Sequence, residues 1–189
     1  MSILEAKTTN PQEGGASFSL RNRAIRLIWS ITWLLLARWT PGVFNPWRLL
    51  LLRLFGARIA PGAAIAGSAR VWLPSNLALK RYCTVGPQVD CYNMAPLTIG
   101  EYTIISQGAV LCGGSHDIHD KDFQLLARPI TIGDRVWVAS QAFVGPGVVI
   151  GDGAVLGARA CAFHALEPWT VYVGNPAVKT KARRFVSAP

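Results

Sequence analysis

Between Ile132 and Ala162 every sixth residue is aliphatic: Ile132, Val138, Val144, Ile150 and Leu156. Each is followed by Gly or Ala (Gly133, Ala139, Gly145, Gly151, Gly157) and, four places on, by a small or β-branched residue (Val136, Ala142, Val148, Ala154, Ala160). At ordinary residue frequencies five such units in succession arise about once in a million. Six residues are too few for a helix, whose buried face recurs every three to four residues over ten or more. They suit a short strand and a corner: the aliphatic side chain points inward, the Gly or Ala after it tolerates the bend, and the small residue fills the corner without overpacking. Stacked in register, such units make a β-helix in which each coil pairs its backbone groups with the coils above and below.

The same rhythm opens earlier, with Ile59, Ile65, Val71 and Leu77 at the inward places and Ala63, Ala69 and Ser75 at the corners. It blurs over residues 80–98, which implies a small insertion or change of register, and resumes at Ile99-Gly100, Ile105 and Leu111. It then stops for one polar stretch, H-D-I-H-D-K-D-F-Q-L-L-A-R-P, from His116 to Pro129. A repeat array broken by one polar loop tends to carry function at the break. The sequence divides accordingly into a flexible arm (1–19), apolar N-terminal helices (20–56), a β-helix (57–176) with its loop at 116–129, and a short basic C-terminal helix and tail (177–189).

The N-terminal helices are R-N-R-A-I-R-L-I-W-S-I-T-W-L-L-L-A-R-W, apolar nearly all round and ended by Pro41, and W-R-L-L-L-L-R-L-F, which follows Pro46 and is closed by Gly56. Neither run approaches the roughly 18 to 20 apolar residues of a membrane span, and arginines interrupt both. The apolar run also starts late for a signal peptide, with no A-x-A site after it. Two roles fit: a cap on the open end of the solenoid, or an interfacial anchor with Trp29, Trp33 and Trp47 among lipid headgroups and arginines facing anionic lipid. Nineteen basic against ten acidic residues, net +9, point to polyanionic partners, whether anionic lipid, a phosphorylated cofactor or nucleic acid. The basic residues gather at the two ends and form no aromatic-interleaved platform, which argues against nucleic acid. The four cysteines lack C-x-x-C spacing and read as free buried thiols in a reducing compartment.

Two of the three histidines, His116 and His119, fall where the repeat breaks. An imidazole beside a cleft can serve as a general base near neutral pH, although a loop histidine is more often simply solvated. The array, the G-G-S-H-D at the loop edge, the P-I-T-I-G-D-R-V-W-V-A-S that resumes the coil and the terminal V-G-N-P-A resemble the left-handed β-helix acyltransferases, which include galactoside, maltose and streptogramin acetyltransferases. With V-D-C-Y-N, I-S-Q-G and the arginine-rich apolar helices added, the pattern over residues 20–185 is most similar to acetyltransferases assigned to colanic acid biosynthesis.

The resemblance implies a mainly β fold, a left-handed parallel β-helix, assembled as a homotrimer with active sites between subunits. It implies an acetyl-CoA-dependent O-acetyltransferase acting on a sugar hydroxyl in polysaccharide biosynthesis, with His116 as general base and direct attack on the thioester. No G-x-S-x-G elbow or other serine nucleophile is present, in keeping with direct attack. By position, the backbone N–H around Ser140 matches the group that steadies the thioester oxygen. Trp137 and Ala158 match residues of the pantetheine channel. Lys179, Lys181, Arg183 and Arg184 are placed to meet CoA phosphates, and Asp90 and Asn93 to hold the acceptor. The sequence departs from the common pattern at F-H-A-L-E-P-W (163–169), where many relatives carry T-K-D; this leaves open both the CoA contact of that lysine and its replacement by His164. Two other classes compete: a noncatalytic scaffold or membrane-surface adaptor, and a zinc enzyme like the β-helical carbonic anhydrases. The spacing of His116, His119 and His164 does not match that zinc pattern. The acceptor is expected to be a saccharide, free or lipid-linked, and the enzyme cytoplasmic and peripheral at the inner face of the membrane.

Overall fold

A computed structural model describes residues 14–184; most of the proposed arm (1–19) and the last five residues lie outside them. Short parallel strands stack into three faces of a prism. The first face holds β1 (Arg58–Ile59), β4 (Leu77–Leu79), β7 (Leu97–Ile99), β12 (Ile130–Ile132) and β15 (Val149–Ile150). On the second lie β2 (Ala64–Ile65), β5 (Thr84–Val85), β8 (Ile104–Ile105), β13 (Trp137–Val138), β16 (Val155–Leu156), β18 (Thr170–Val173) and β19 (Val178–Ala182). The third has β3 (Arg70–Val71), β6 (Asp90–Tyr92), β9 (Val110–Cys112), β14 (Phe143–Val144) and β17 (Cys161–Ala162). A hairpin, β10 (Gly114–His116) with β11 (Leu125–Ala127), projects from the array.

The six-residue period becomes columns of side chains. Ile65, Val85, Ile105, Val138, Leu156 and Tyr172 stack inside the second face, all buried. Cys91 and Ala162 take the aliphatic place on the third, and Cys83 a small corner place, so two of the cysteines are core residues. Burial pushes the Cys83 and Cys91 thiols up to about 12. Gly100, Gly133 and Asp152 show why the I-G-D units repeat. A Cβ on Gly100 would lie 2.1 Å from the Gly133 carbonyl oxygen. The aspartates hold the coil beneath: Asp134 Oδ1 accepts from the Glu101 N–H at 2.8 Å and Asp152 Oδ1 from the Asp134 N–H at 2.8 Å.

Coil length changes along the chain, and it changes at one edge only. Ile59 pairs with Leu79 and Leu79 with Ile99, twenty residues per coil, whereas Ile132 pairs with Ile150, eighteen on. The surplus falls between the third face and the first, at 72–76 and again at 92–96. Leu77, on the repeat by spacing, is therefore displaced, and Leu79 stands in register with Ile59. The blur in the sequence is two such insertions, one of them hidden because Leu77 also points inward. The loop at 116–129 leaves from this same edge.

Both ends of the stack are closed. α1 (Leu20–Leu36) and α2 (Asn45–Leu54) cover the first coil and give its unpaired backbone groups side-chain partners. The Trp29 indole donates to Val71 O at 2.7 Å, Trp33 to Gly67 O and Ala69 O at 3.0 Å, and Asn45 brackets Ala63 O and Ile65 N. Arg48, buried in α2, donates to Ile65 O and to Thr40 and Pro41, and its burial lowers its pKa. Trp29 and Trp33, expected among lipid headgroups, are thus core residues; indole N–H groups were the donors that a bare strand edge lacked.

At the other end the expected C-terminal helix is a strand. β19 runs antiparallel to β18, with Val171 opposite Lys181 and Val173 opposite Val178. β18 ends the stack with an open edge whose backbone groups need partners, and this demand overrides the helical tendency of A-V-K-T-K-A. Thr180 Oγ1 donates to Val171 O, and Lys179 pairs with Glu167.

Candidate active site

His116 ends β10, opposite Leu125 of β11, and is exposed. The segment between is ordered by its own polar groups: Asp117 N–H donates to Gln124 O, His119 N–H to Asp117 Oδ1, and Phe123 N–H to Asp120 O. Phe123 adopts the left-handed region (φ 53°), costly for a side-chain-bearing residue, and so turns its carbonyl onto His116 Nδ1 at 2.8 Å. Its ring stacks on the imidazole, centroids 4.6 Å apart and 12° from parallel. A carbonyl only accepts, so Nδ1 carries the proton and Nε2 presents its lone pair, the tautomer a general base requires. Gly114 lets this hairpin approach the coil below, since a Cβ there would sit 2.7 Å from the Met94 sulfur and 3.2 Å from the Tyr92 ring.

Asp90 and Tyr92 lie on the third face beneath the hairpin. They help to line a cleft of about 370 Å³ that α1 closes on the far side, together with Arg26, Arg38, Arg70 and Trp72. Arg70 approaches Asp90 at 3.5 Å, and the Arg26 guanidinium lies 4.3 Å over the Trp72 ring, partly desolvated so that its pKa is lowered. Burial likewise raises the Tyr92 phenol. Asn93 does not reach the cleft. It is 1% exposed, its Oδ1 accepts from the N–H groups of Trp72 and Leu73, and its Nδ2 donates to Leu73 O. The amide is consumed in holding the inserted corner 72–76, which accounts for its place beside the register change and removes it from the acceptor ligands.

The residues matched to the acyl donor gather elsewhere. Trp137, 46% exposed, stands on the second face with its indole on Ser106 Oγ at 2.9 Å. Ser140 occupies the next corner, with Ala158 one coil above it and exposed. Among the described residues the Ser140 N–H makes no hydrogen bond, while its carbonyl accepts from Arg159 N–H at 3.0 Å. β19 extends this same face, so Lys179 and Lys181 share it. Lys181 is exposed; Lys179 is held by Glu167, which raises its pKa. Arg183 is not aimed at a phosphate: its guanidinium donates to Arg135 O at 2.7 Å and Gly153 O at 2.9 Å. The divergent F-H-A-L-E-P-W belongs to a shortened corner, where Leu166 fills the inward place against Ile150 and Glu167 anchors β19. His119 and His164 join no cluster: no three His, Cys, Asp or Glu side chains among the described residues are grouped to hold a metal.

Two sets therefore stand apart on the prism: His116 on the hairpin that leaves between the third and first faces, and Ser140 and Ala158 at the edge between the second and third, with Trp137 before them on the second face; Asp90 opens β6 on the third face. The bacterial transferase hexapeptide signature (six repeats) matches residues 129–161. The chain is 43% identical over 159 residues, 84% of its own length and 87% of the relative's, to the Escherichia coli (strain K12) protein described as a colanic acid biosynthesis acetyltransferase, WcaF. The chain belongs to this family of hexapeptide-repeat acetyltransferases. Galactoside O-acetyltransferase of the same organism is 35% identical over 91 residues, 47% of this chain and 43% of that protein. Among solved structures, a hexapeptide-repeat acetyltransferase of Vibrio cholerae O1 biovar eltor complexed with acetyl coenzyme A superposes with a TM-score of 0.79 at 19% identity, covering 88% of this chain and 91% of that one. A galactoside acetyltransferase in complex with coenzyme A gives 0.75 at 22% identity, covering 90% and 86%. These likenesses show the shared fold of the hexapeptide acetyltransferases, a parallel β-helix. Sequence reasoning missed Phe123, although it is the one aromatic residue of the 116–129 loop, and Trp72, concealed in a corner whose insertion the spacing did not reveal.

Proposed function

We propose that this protein is an O-acetyltransferase that moves the acetyl group of acetyl-CoA to a saccharide hydroxyl during polysaccharide assembly, as a homotrimer of left-handed solenoids. The observation that carries the reading is the separation of the two sets of residues. A six-residue repeat, corner included, separates successive edges of the prism, at most roughly 20 Å at the rise of a strand, whereas reacting atoms must come within about 3 to 3.5 Å. His116 and the Ser140 amide of one chain are too far apart to act on one bond. A neighbouring copy that sets its Ser140 edge against the His116 hairpin completes the site.

In that site Nε2 of His116 takes the proton of the acceptor hydroxyl as its oxygen bonds to the acetyl carbon. The carbon–sulfur bond breaks, and the imidazolium returns the proton to the departing thiolate. Phe123 O fixes the tautomer beforehand and steadies the positive ring. The Ser140 N–H of the neighbour donates to the acetyl oxygen as negative charge grows there, a contribution of about 3 to 4 kcal/mol. Trp137, Ala158 and Lys181 fit a pantetheine arm and its phosphates; Arg183, already spent on two carbonyls, does not.

Asp90 is the acceptor ligand that remains, and Trp72 and Tyr92 offer flat apolar surface for a sugar ring. Three guanidiniums in the same cleft favour a saccharide bearing a phosphate or carboxylate, such as a lipid-linked intermediate at the inner face of a membrane. Mass spectrometry of neutral and anionic oligosaccharides incubated with labelled acetyl-CoA tests this directly. One acetyl ester per acceptor, with anionic acceptors preferred, is expected; thioester hydrolysis without sugar acetylation would overturn it.

A further inference from the structure

The protein's entire net charge resides in its first half. Residues 1–89 contain eleven basic and two acidic residues, residues 90–189 eight of each, and no acidic residue occurs between Glu13 and Asp90. The same half carries a helix packed inside out. α1 turns Asn22, Arg26, Trp29, Trp33 and Ala37 toward the solenoid, while Leu27 (62% exposed), Ile28 (57%), Ile31 (48%) and Leu35 (60%) face outward at intervals of three and four. The outward stripe continues into the turn and α2 through Trp39 (72%), Val43 (83%) and Leu54 (71%). Trp47 Nε1 donates to Leu36 O and ties the two helices into one surface. Arg21, Arg23, Arg38 and Arg53 are exposed around it. Among the described residues no helix is long and apolar enough to cross a membrane.

We propose that the outer surface of α1, the 39–44 turn and α2 docks on the headgroup region of an anionic phospholipid bilayer and holds the solenoid against it. Apolar side chains gain by entering the interfacial zone, and each nearby arginine adds about 1 kcal/mol of attraction to anionic lipid. A second copy of the chain would be the alternative occupant, but two such surfaces face to face would bring like charges together with no carboxylate on either helix to offset them. The cleft between α1 and the third face begins at the inner side of the same helix, so docking places its mouth, lined by Ser30, Leu34 and Arg38, beside the lipid surface.

The test is sedimentation of the full-length protein with vesicles of phosphatidylcholine alone and of phosphatidylcholine mixed with phosphatidylglycerol. It uses no acetyl-CoA, so its outcome is separate from that of the acetyl-transfer reading. The protein is expected to pellet with the mixed vesicles, to be released by added salt, and to lose at least about tenfold in partitioning when Leu27→Asn, Ile31→Asn and Leu35→Asn are combined. Arg21→Gln with Arg23→Gln should weaken binding to the mixed vesicles and leave the fold unchanged by circular dichroism. The proposal is overturned by equal recovery with and without anionic lipid, by vesicle binding that survives the triple substitution, or by an oligomer that falls apart in the triple variant while the wild type ignores vesicles.

Discussion

The edge between the second and third faces and the edge between the third and first are built from the same chain, yet they obey different rules. The former keeps its corner at one length through every coil, with Pro87, Gln107, Ser140 and Ala158 in register. At the latter two residues are inserted at 72–76 and again at 92–96, a whole hairpin follows at 112–129, and the corner ahead of Leu166 is shortened. The regular edge offers backbone amides held at fixed positions beside small residues such as Ser140 and Ala158, with the longer Gln141 and Arg159 side chains bonded to each other. An irregular edge offers side chains such as an imidazole and aromatic rings, at positions the repeat does not dictate. Acyl transfer needs both, an amide donor for the oxyanion and a base for the hydroxyl, and the function proposed above brings the two edges together in an assembly.

The comparison can be broken most severely at the irregular edge. Replacing His116 with Ala should lower turnover by about 10² to 10⁴ while CoA affinity and oligomer size hold; unchanged turnover would remove the imidazole from the mechanism. At the regular edge, Ser140→Pro removes the amide proton together with the hydroxyl, and Ser140→Ala removes the hydroxyl alone. Pro87 already occupies the equivalent corner, with Gly108 N–H bonded to its carbonyl as Arg159 is to that of Ser140, so the fold should tolerate the change. A loss of about 10² to 10³ in kcat is expected with little change in thermal stability. A loss that also appears on substituting Ser140→Ala would shift the role to the hydroxyl.

Asn93→Ala separates structure from chemistry within the irregular edge. It should cost roughly 2–3 kcal/mol in urea denaturation, because two backbone N–H groups and a carbonyl lose their partner in a buried corner. Asp90→Asn, in the cleft and paired with the exposed Arg70, should instead raise the acceptor KM with stability little altered. In the columns themselves nothing changes at neutral pH, and the effect appears only in alkali. The Cys83 and Cys91 thiols, at about 12 in the folded chain against 9.0 ordinarily, stay protonated where the unfolded chain would ionise. Their contribution is complete below pH 9.0 and fades as pH rises toward about 12. Denaturation midpoints that fall progressively above pH 9.0 would show it, and ready alkylation of either thiol in the native protein would contradict it.

The fold was legible because a solenoid writes its period directly into sequence: Ile132 to Leu156 each occupy the inward place that their spacing assigned. What could not be read follows from the same logic. Leu77 and Leu79 both point inward on one strand, so spacing alone could not tell which was in register, and Asn93 looked like a ligand because its partners, the 72–73 amides, lie a coil away in space. The C-terminal strand was hidden for a related reason: A-V-K-T-K-A carries no strand pattern of its own and becomes one only because β18 leaves an edge to cover. His116 was visible as a break in the array, but the carbonyl that sets its tautomer belongs to Phe123, in a backbone conformation that no residue type announces.

In the function proposed above no single chain contains the whole site, and mixing two inactive variants tests this most directly. Trimers reassembled from equal amounts of the His116→Ala and Ser140→Pro proteins should regain about a quarter of wild-type turnover, since half of the copies supply an intact imidazole and half of the neighbours an intact amide. A mixture as inactive as its two parents, with exchange of subunits demonstrated, would mean that the imidazole and the amide act within one chain, and the assembly proposed for the site would be wrong.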